Sequence, residues 1–152
     1  MSKILEAVDV AVPVRTAYDQ WTQFETFPAF MEGVKSVRQL DDTTLEWVAD
    51  IAGQEKRWKA KITEQQPDER IAWTATEGAH NAGVVTFHRL DESTTRVTVQ
   101  MDIDPEGAVE NVGDALGVPG RRVKGDLERF KEFIESRGAE TGAWRGEVSQ
   151  NT

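Results

Sequence analysis

Cysteine is missing from this sequence altogether, which excludes disulfides, thiolate metal sites and thiol redox chemistry. Histidine is nearly as scarce. Only His80 and His88 occur, the first in an expected loop and the second on the outer side of an expected strand, so no metal site is expected. No GxSxG elbow is present, and no serine has an obvious histidine partner. The motif GVPG, Gly117 to Gly120, lacks the spacing and strand context of a phosphate-cradling loop. No segment approaches the roughly 18 apolar residues of a membrane span, and the opening MSKILEAVDV carries Glu6 and Asp9, unlike a signal peptide. Basic residues are outnumbered 18 to 27, leaving a formal net charge of -9. That balance repels nucleic-acid phosphates and anionic lipid, and no basic patch is segregated to offset it. These absences point to a cytoplasmic protein with no nucleic-acid partner, no stable membrane insertion, no metal and no cofactor.

What is present is ordinary for a globular chain: 152 residues, 38% hydrophobic and 30% charged. One fold unit with a real core is expected. Ile4 to Val12 alternates as a strand, and Pro13 then presets the φ of a first helical turn. Val14, Ala17, Tyr18, Trp21 and Phe24 follow helical spacing, leaving Arg15, Asp19 and Gln20 to an outer face. Pro28 ends this helix or starts a shorter one carrying Phe27, Phe30 and Met31. From Val34 to Asp104 the period becomes two, with turn signals at five places, which reads as a six-strand antiparallel meander. After Pro105 helical spacing returns through Val109, Val112 and Leu116, then Val123, Leu127, Phe130 and Ile134. The sequence predicts one long helix, broken or kinked at Gly117 to Gly120 and capped by Gly138, with residues 139–152 as an aperiodic tail to a single 1–138 domain.

The hairpin LEWVADIAGQEKRWKAKI sets two tryptophans on one face. A type II′ turn at Gly53-Gln54 places Trp47 opposite Ala60, Ala49 opposite Trp58 and Leu45 opposite Ile62. On the other face it pairs Asp50 with Arg57 and Glu46 with Lys61. A two-residue turn at Pro67-Asp68 then sets Ile62 against Trp73 and Ala60 against Ala75. Extending the sheet gives one bulky row, Leu45, Ile62, Trp73, Val85 and Val99. The next row, Trp47, Ala60, Ala75, Gly83 and Met101, has a hollow in its middle. Either the last helix sinks into that hollow through Leu127 or Phe130, or a cavity remains, lined by Trp47, Trp58, Trp73, Phe87 and Met101, for an apolar or aromatic guest. An empty void of roughly 300 Å³ costs about 7 kcal/mol, so a cavity of that size needs a ligand, water or compensation.

The order β, α, α, six strands, α resembles the helix-grip fold of the START and birch-pollen-allergen-like (SRPBCC) superfamily. VDVAVPVRTAYDQWTQFETFPAFMEGVKSVRQLDD, the Trp47 hairpin, PDERIAW and LERFKEFIESRG are similar to its bacterial polyketide cyclase/dehydrase and coenzyme-Q-binding-protein-like branch. The resemblance covers Ile4 to about Gly138. It implies an α+β helix-grip fold: a curved antiparallel sheet of about seven strands wrapped around a long C-terminal helix, with two short helices after strand 1. It also implies a pocket between sheet and helix, with Ala60, Ala75, Gly83, Val85 and Val99 on the sheet side and Val123, Leu127 and Phe130 on the helix. Phe27, Phe30 and Met31 either border its mouth or pack against the sheet edge.

Polar equipment for chemistry is sparse. Lys56 and Glu77 fall on the apolar face near strand ends, and His80 and Asn81 sit in the adjoining loop. Cyclisation of a polyketide needs little more than a shaped pocket and one or two acids or donors, for which Glu77 and His80 are the weak candidates. The leading expectation is a binder or carrier of a hydrophobic small molecule, a lipid, isoprenoid quinone or polyketide, and whether it is an enzyme stays open. A polyketide aromatase/cyclase or dehydratase is the alternative. A protein-interaction or ribosome-directed toxin-like module ranks third, because strong acidity opposes an RNA-rich target. Monomer and homodimer both remain open, and Trp144 either folds back or meets a second subunit.

Overall fold

The computed structural model describes residues 2–31, 33–51, 53–77, 81–103, 112–144 and 146. Strand β1 (Ser2–Val10) leads into helix α1 (Val14–Trp21) and a 3-10 helix (Phe24–Ala29). Six strands follow: β2 (Val34–Gln39), β3 (Thr44–Ile51), β4 (Gln54–Gln66), β5 (Arg70–Glu77), β6 (Asn81–Asp91) and β7 (Thr94–Ile103). Helix α2 (Val112–Arg137) is last. The strands form one antiparallel sheet in the order β1-β7-β6-β5-β4-β3-β2, so a meander curls from β2 to β7 and β1 closes onto its far side. This is the expected α+β helix-grip arrangement.

The local rules that build these elements are simple. Pro13, with φ -60, precedes α1 and sets its first turn, whose backbone is closed by Ala17 donating to the Pro13 carbonyl at 3.1 Å. Pro28 lies inside the 3-10 helix, and Phe30 and Met31 follow it. Helix α2 is helical through Gly117 to Gly120, so the expected break does not occur. A proline inside a helix removes one N–H donor and crowds the preceding turn, which a helix can accommodate by bending rather than ending. Gly138, at φ +73, caps α2 by donating to the Ile134 carbonyl at 2.9 Å.

Asp19 and Gln20, expected on an outer face, are buried. The tail bonds to Gln20. Thr141 N–H donates to Gln20 Oε1 at 2.8 Å, Gln20 Nε2 donates to Thr141 Oγ1 and Thr26 Oγ1 at 3.1 Å each, and Trp144 N–H donates to Thr22 Oγ1 at 3.1 Å. Trp144 thus belongs to a segment folded back on its own domain. The signal was absent from the periodicity because hydrogen bonds, not an apolar stripe, hold this contact.

The sheet register agrees with the expected one in part. Ile62 faces Trp73 and Ala60 faces Ala75, as expected, although the loop has three residues rather than two. Asp68, at φ +64, turns that loop, and a bulge between Ile62 and Glu64 absorbs the extra residue. At the β3-β4 hairpin the pairing is two residues off: Trp47 faces Trp58, Leu45 faces Ala60, Ala49 faces Lys56 and Glu46 faces Lys59. The loop is 52–53, flanked by Ile51 and Gln54, with Gly53 at φ +81 in its second position. The expected Asp50-Arg57 and Glu46-Lys61 pairs are therefore not formed, and Arg57 bonds Glu55 along its own strand at 3.4 Å. Strands β5 and β6 also differ by two, with Trp73 on Gly83 and Ile71 on Val85, whereas Val85-Val99 and Gly83-Met101 stand as expected.

Helix α2 is bound to β1 by polar clamps at its C-terminal half. Glu135 accepts from Ala11 N–H and from Lys131 Nζ, both at 2.7 Å, and Lys131 also donates to the Asp9 carbonyl at 2.8 Å. The Lys131 bond, then the Ala11 amide, holds the Glu135 carboxyl below its ordinary value of 4.5. A lowered carboxylate stabilises the fold above its unfolded pKa and loses that contribution as pH falls through the folded one. The melting temperature should accordingly be level at neutral pH and decline below about pH 4.5. Glu135→Gln should cost less than about 1 kcal/mol at pH 7 and make the acid limb shallower, as read by calorimetry across pH. An unchanged acid limb would refute the role given to this carboxylate.

Candidate ligand-binding site

The inner face of the sheet divides into a sealed end and a lightly packed end. At the sealed end α1, the 3-10 helix and α2 converge on aromatic rings. Trp21 lies 4.9 Å from Phe130 and 5.4 Å from Phe27, ring centre to ring centre. Phe30 lies 5.3 Å from Phe130 and 5.4 Å from Phe133, and Tyr18 meets Phe87 edge-on at 5.4 Å. Arg129 adds a polar tie between helices, donating to the Phe30 carbonyl at 2.9 Å while it pairs with Asp126. Of the residues expected at a pocket mouth, Phe27 and Phe30 are buried in this cluster and Met31 is partly buried beside it. Phe87, Leu127 and Phe130 are likewise buried core.

The other end is looser. Trp47 and Trp58 form a direct cross-strand pair with ring centres 5.6 Å apart and planes 8° from parallel, and Phe27 touches Trp47 at 5.6 Å. Both indoles are half-buried, as are Trp73, Ala75, Gly83, Met101 and, on α2, Val123. Beside them on the same face, Leu45, Ala60, Ile62, Val85 and Val99 are buried. Among the described residues, half-buried aromatic and thioether side chains on an inner face, beside buried aliphatic ones, make a surface suited to a flat or flexible apolar molecule.

The expected hollow is rearranged. Because β5 and β6 pair two residues away from expectation, Gly83 leaves the row of Ala60 and Ala75 and sits opposite Trp73. A Cβ built on Gly83 would lie 2.9 Å from two indole carbons of Trp73 and 2.6 Å from the Gln100 carbonyl. The indole therefore lies across the glycine and fills that part of the hollow. Ala60 and Ala75 remain as the small pair, with Ala60 wholly enclosed and Ala75 open on one side.

Polar groups on this face are few. Lys56 is exposed, opposite Ala49. The backbones of Glu77 and Asn81 pair with Lys59 and Ile103, but their side chains, like His80 altogether, lie outside the described residues. Among the described residues no three His, Asp or Glu side chains are grouped to hold a metal ion. The carboxylates with lowered pKa lie elsewhere: Asp9 through its bond from Arg96, Asp41 through the Thr43 amide, Glu55 through Lys35 and Asp91 through the Ser93 amide. A shallow depression on the hairpin is lined by Glu46, Arg57, Trp58 and Lys59.

One inward polar residue was not anticipated. Gln65 faces Ile71, in a row that continues to Val85 and Val99, and all four are buried. Strict alternation from Ile62 would turn Gln65 outward; the bulge at Thr63 reverses the parity beyond it. Nothing in the local sequence announces that bulge.

Comparison with known proteins identifies the family. A family model described as polyketide cyclase / dehydrase and lipid transport matches residues 10–132. The chain belongs to that family. It is also 59% identical over 149 residues, covering 97% of this chain and 99% of the relative, to an uncharacterized 17.2 kDa protein of Streptomyces lincolnensis. Among solved structures, a Deinococcus radiodurans protein is 26% identical with a TM-score of 0.70, covering 90% of this chain and 99% of that one. The Zhui aromatase/cyclase from Streptomyces sp. R1128 is 17% identical with a TM-score of 0.74, covering 93% and 98%. At that identity the likeness concerns the fold alone. No helix among the described residues of this polyketide cyclase/dehydrase family member is long and apolar enough to cross a membrane.

Proposed function

We propose that this chain binds and carries a hydrophobic small molecule, a lipid, isoprenoid quinone or polyketide, between the inner face of β3 to β7 and α2. The observation that carries the reading is the half-burial of Trp47, Trp58, Trp73 and Met101 on the inner face, beside aliphatic side chains that are already buried. Burying such rings is worth roughly 1.5–3 kcal/mol each, so leaving several of them partly uncovered favours a guest that completes the burial. The membership of a family described by cyclisation and lipid transport supports the same class of ligand.

The alanine pair provides the test. Ala75→Leu should leave the apo protein within about 0.5 kcal/mol of the parent and weaken uptake of a lipid or naphthoquinone probe by roughly 5- to 150-fold, the equivalent of about 1–3 kcal/mol of crowding. Ala60→Leu, at a site with no exposure, should instead cost the apo fold about 1–3 kcal/mol. Unchanged uptake by Ala75→Leu would place the guest elsewhere. Native mass spectrometry of freshly purified protein, with organic extraction, identifies what is bound.

A second reading, an aromatase/cyclase or dehydratase, is supported by the family description and by the fold shared with the Zhui aromatase/cyclase. Turnover of a poly-β-keto substrate that is lost in Glu77→Gln or His80→Ala decides for it. Binding without turnover decides for the carrier.

A further inference from the structure

Gln65 is 1% exposed, and among the described residues neither its Oε1 nor its Nε2 has a hydrogen-bond partner. Its neighbours in the chain have found theirs outside. Glu64 accepts from Gln66 Nε2 at 3.1 Å and from Arg70 at 3.0 Å, which keeps both flanking side chains on the outer side of β4 and leaves Gln65 on the inner one. Its cross-strand partner is Ile71, and the row beyond is Val85 and Val99. A buried amide opposite Ile71 with donor and acceptor both unused is destabilising, and an apolar isostere there would be better tolerated by the empty fold. A buried group of this kind calls for a partner, and the described residues supply none.

Resting on the carrier reading above, we propose that Gln65 is the polar anchor for the guest and that the guest carries an oxygen at the end that reaches it. The amide N–H donates to a ketone or quinone oxygen, and the amide carbonyl accepts from a hydroxyl. The ligand class is thereby narrowed from any greasy molecule to one with a carbonyl or hydroxyl at the end that reaches Gln65. A pure hydrocarbon of the same shape leaves the amide unpaired and gains nothing from it.

The test compares 1-tetralone with tetralin, which share a shape and differ by one carbonyl, in the full chain and in Gln65→Met, by calorimetry. Gln65→Leu is a second variant in case methionine packs poorly. Tetralone should bind Gln65→Met about 3- to 10-fold more weakly than the parent, the size of one net neutral hydrogen bond, while tetralin binds both alike. The ligand-free variant should also melt at a higher temperature than the parent, because an unpaired amide has been removed. If both compounds bind the parent but tetralone affinity is unchanged in the variant, the anchor is refuted and the carrier reading stands. If neither compound binds the parent, the carrier reading falls and the anchor falls with it. A lower melting temperature in both variants would mean that the amide is no cost to the ligand-free fold, and would overturn the proposal independently of any ligand.

Discussion

Phe130→Ala should cost the fold about 4 kcal/mol, within the roughly 3–5 kcal/mol range for emptying a buried phenylalanine site. Phe130 has no exposed surface and is the ring on which the helices meet, touching Trp21 at 4.9 Å and Phe30 at 5.3 Å. Its removal forfeits both the transfer of a whole ring and two edge-to-face contacts, and its packed neighbours cannot fully close the space. With a domain's whole stability near 5–15 kcal/mol, this one change consumes a large part of it. Val123→Ala, seven residues earlier on α2 at a half-buried position, should cost about 1 kcal/mol or less. Urea unfolding of the two variants measures the difference. A loss under about 1.5 kcal/mol for Phe130→Ala would mean that α2 is not seated on this cluster.

Gly83→Ala should cost about 2–3 kcal/mol although alanine is the smallest possible addition. The backbone conformation of Gly83 is not the obstacle; space is. The new methyl would stand 2.6 Å from the Gln100 carbonyl and 2.9 Å from the Trp73 ring, so the β6-β7 ladder and the indole must both give way. The two parts can be separated. Gly83→Ala combined with Trp73→Leu should recover the part due to the indole and retain the part due to the carbonyl, giving a coupling of about 1 kcal/mol in a double-mutant cycle. A cost below about 0.5 kcal/mol for Gly83→Ala alone would show that Trp73 does not lie across the glycine.

The elements were legible because their signals are periodic and punctuated. Pro13, the period-two stretch from Val34 and the 123, 127, 130, 134 spacing each specify an element and an inward face. Register was less legible for a definite reason. Side chains alternate with period two, so a slip of two residues, from Trp47-Ala60 to Trp47-Trp58, keeps every apolar residue on the same face and escapes any test based on facing. Only packing separates the alternatives: the observed register stacks two indoles 8° from parallel, even though it sets Asp50 opposite Glu55. The same slip between β5 and β6 moved Gly83 under Trp73 and redrew the hollow. Gln65 and the buried face of Gln20 were hidden because a bulge and a returning tail leave no trace in local alternation.

The contrast between the two ends of the inner face has a kinetic meaning. With rings clamping α2 at Phe130 and only half-covered indoles at Trp58 and Trp73, the free energy of a partial opening is lowest where a guest would lie. Loading and discharge would then proceed by breathing of one region while the opposite end stays protected from exchange. On the proposed carrier reading, the residence time of the cargo would be a local property, adjustable by substitutions that leave the half-life of the folded chain untouched.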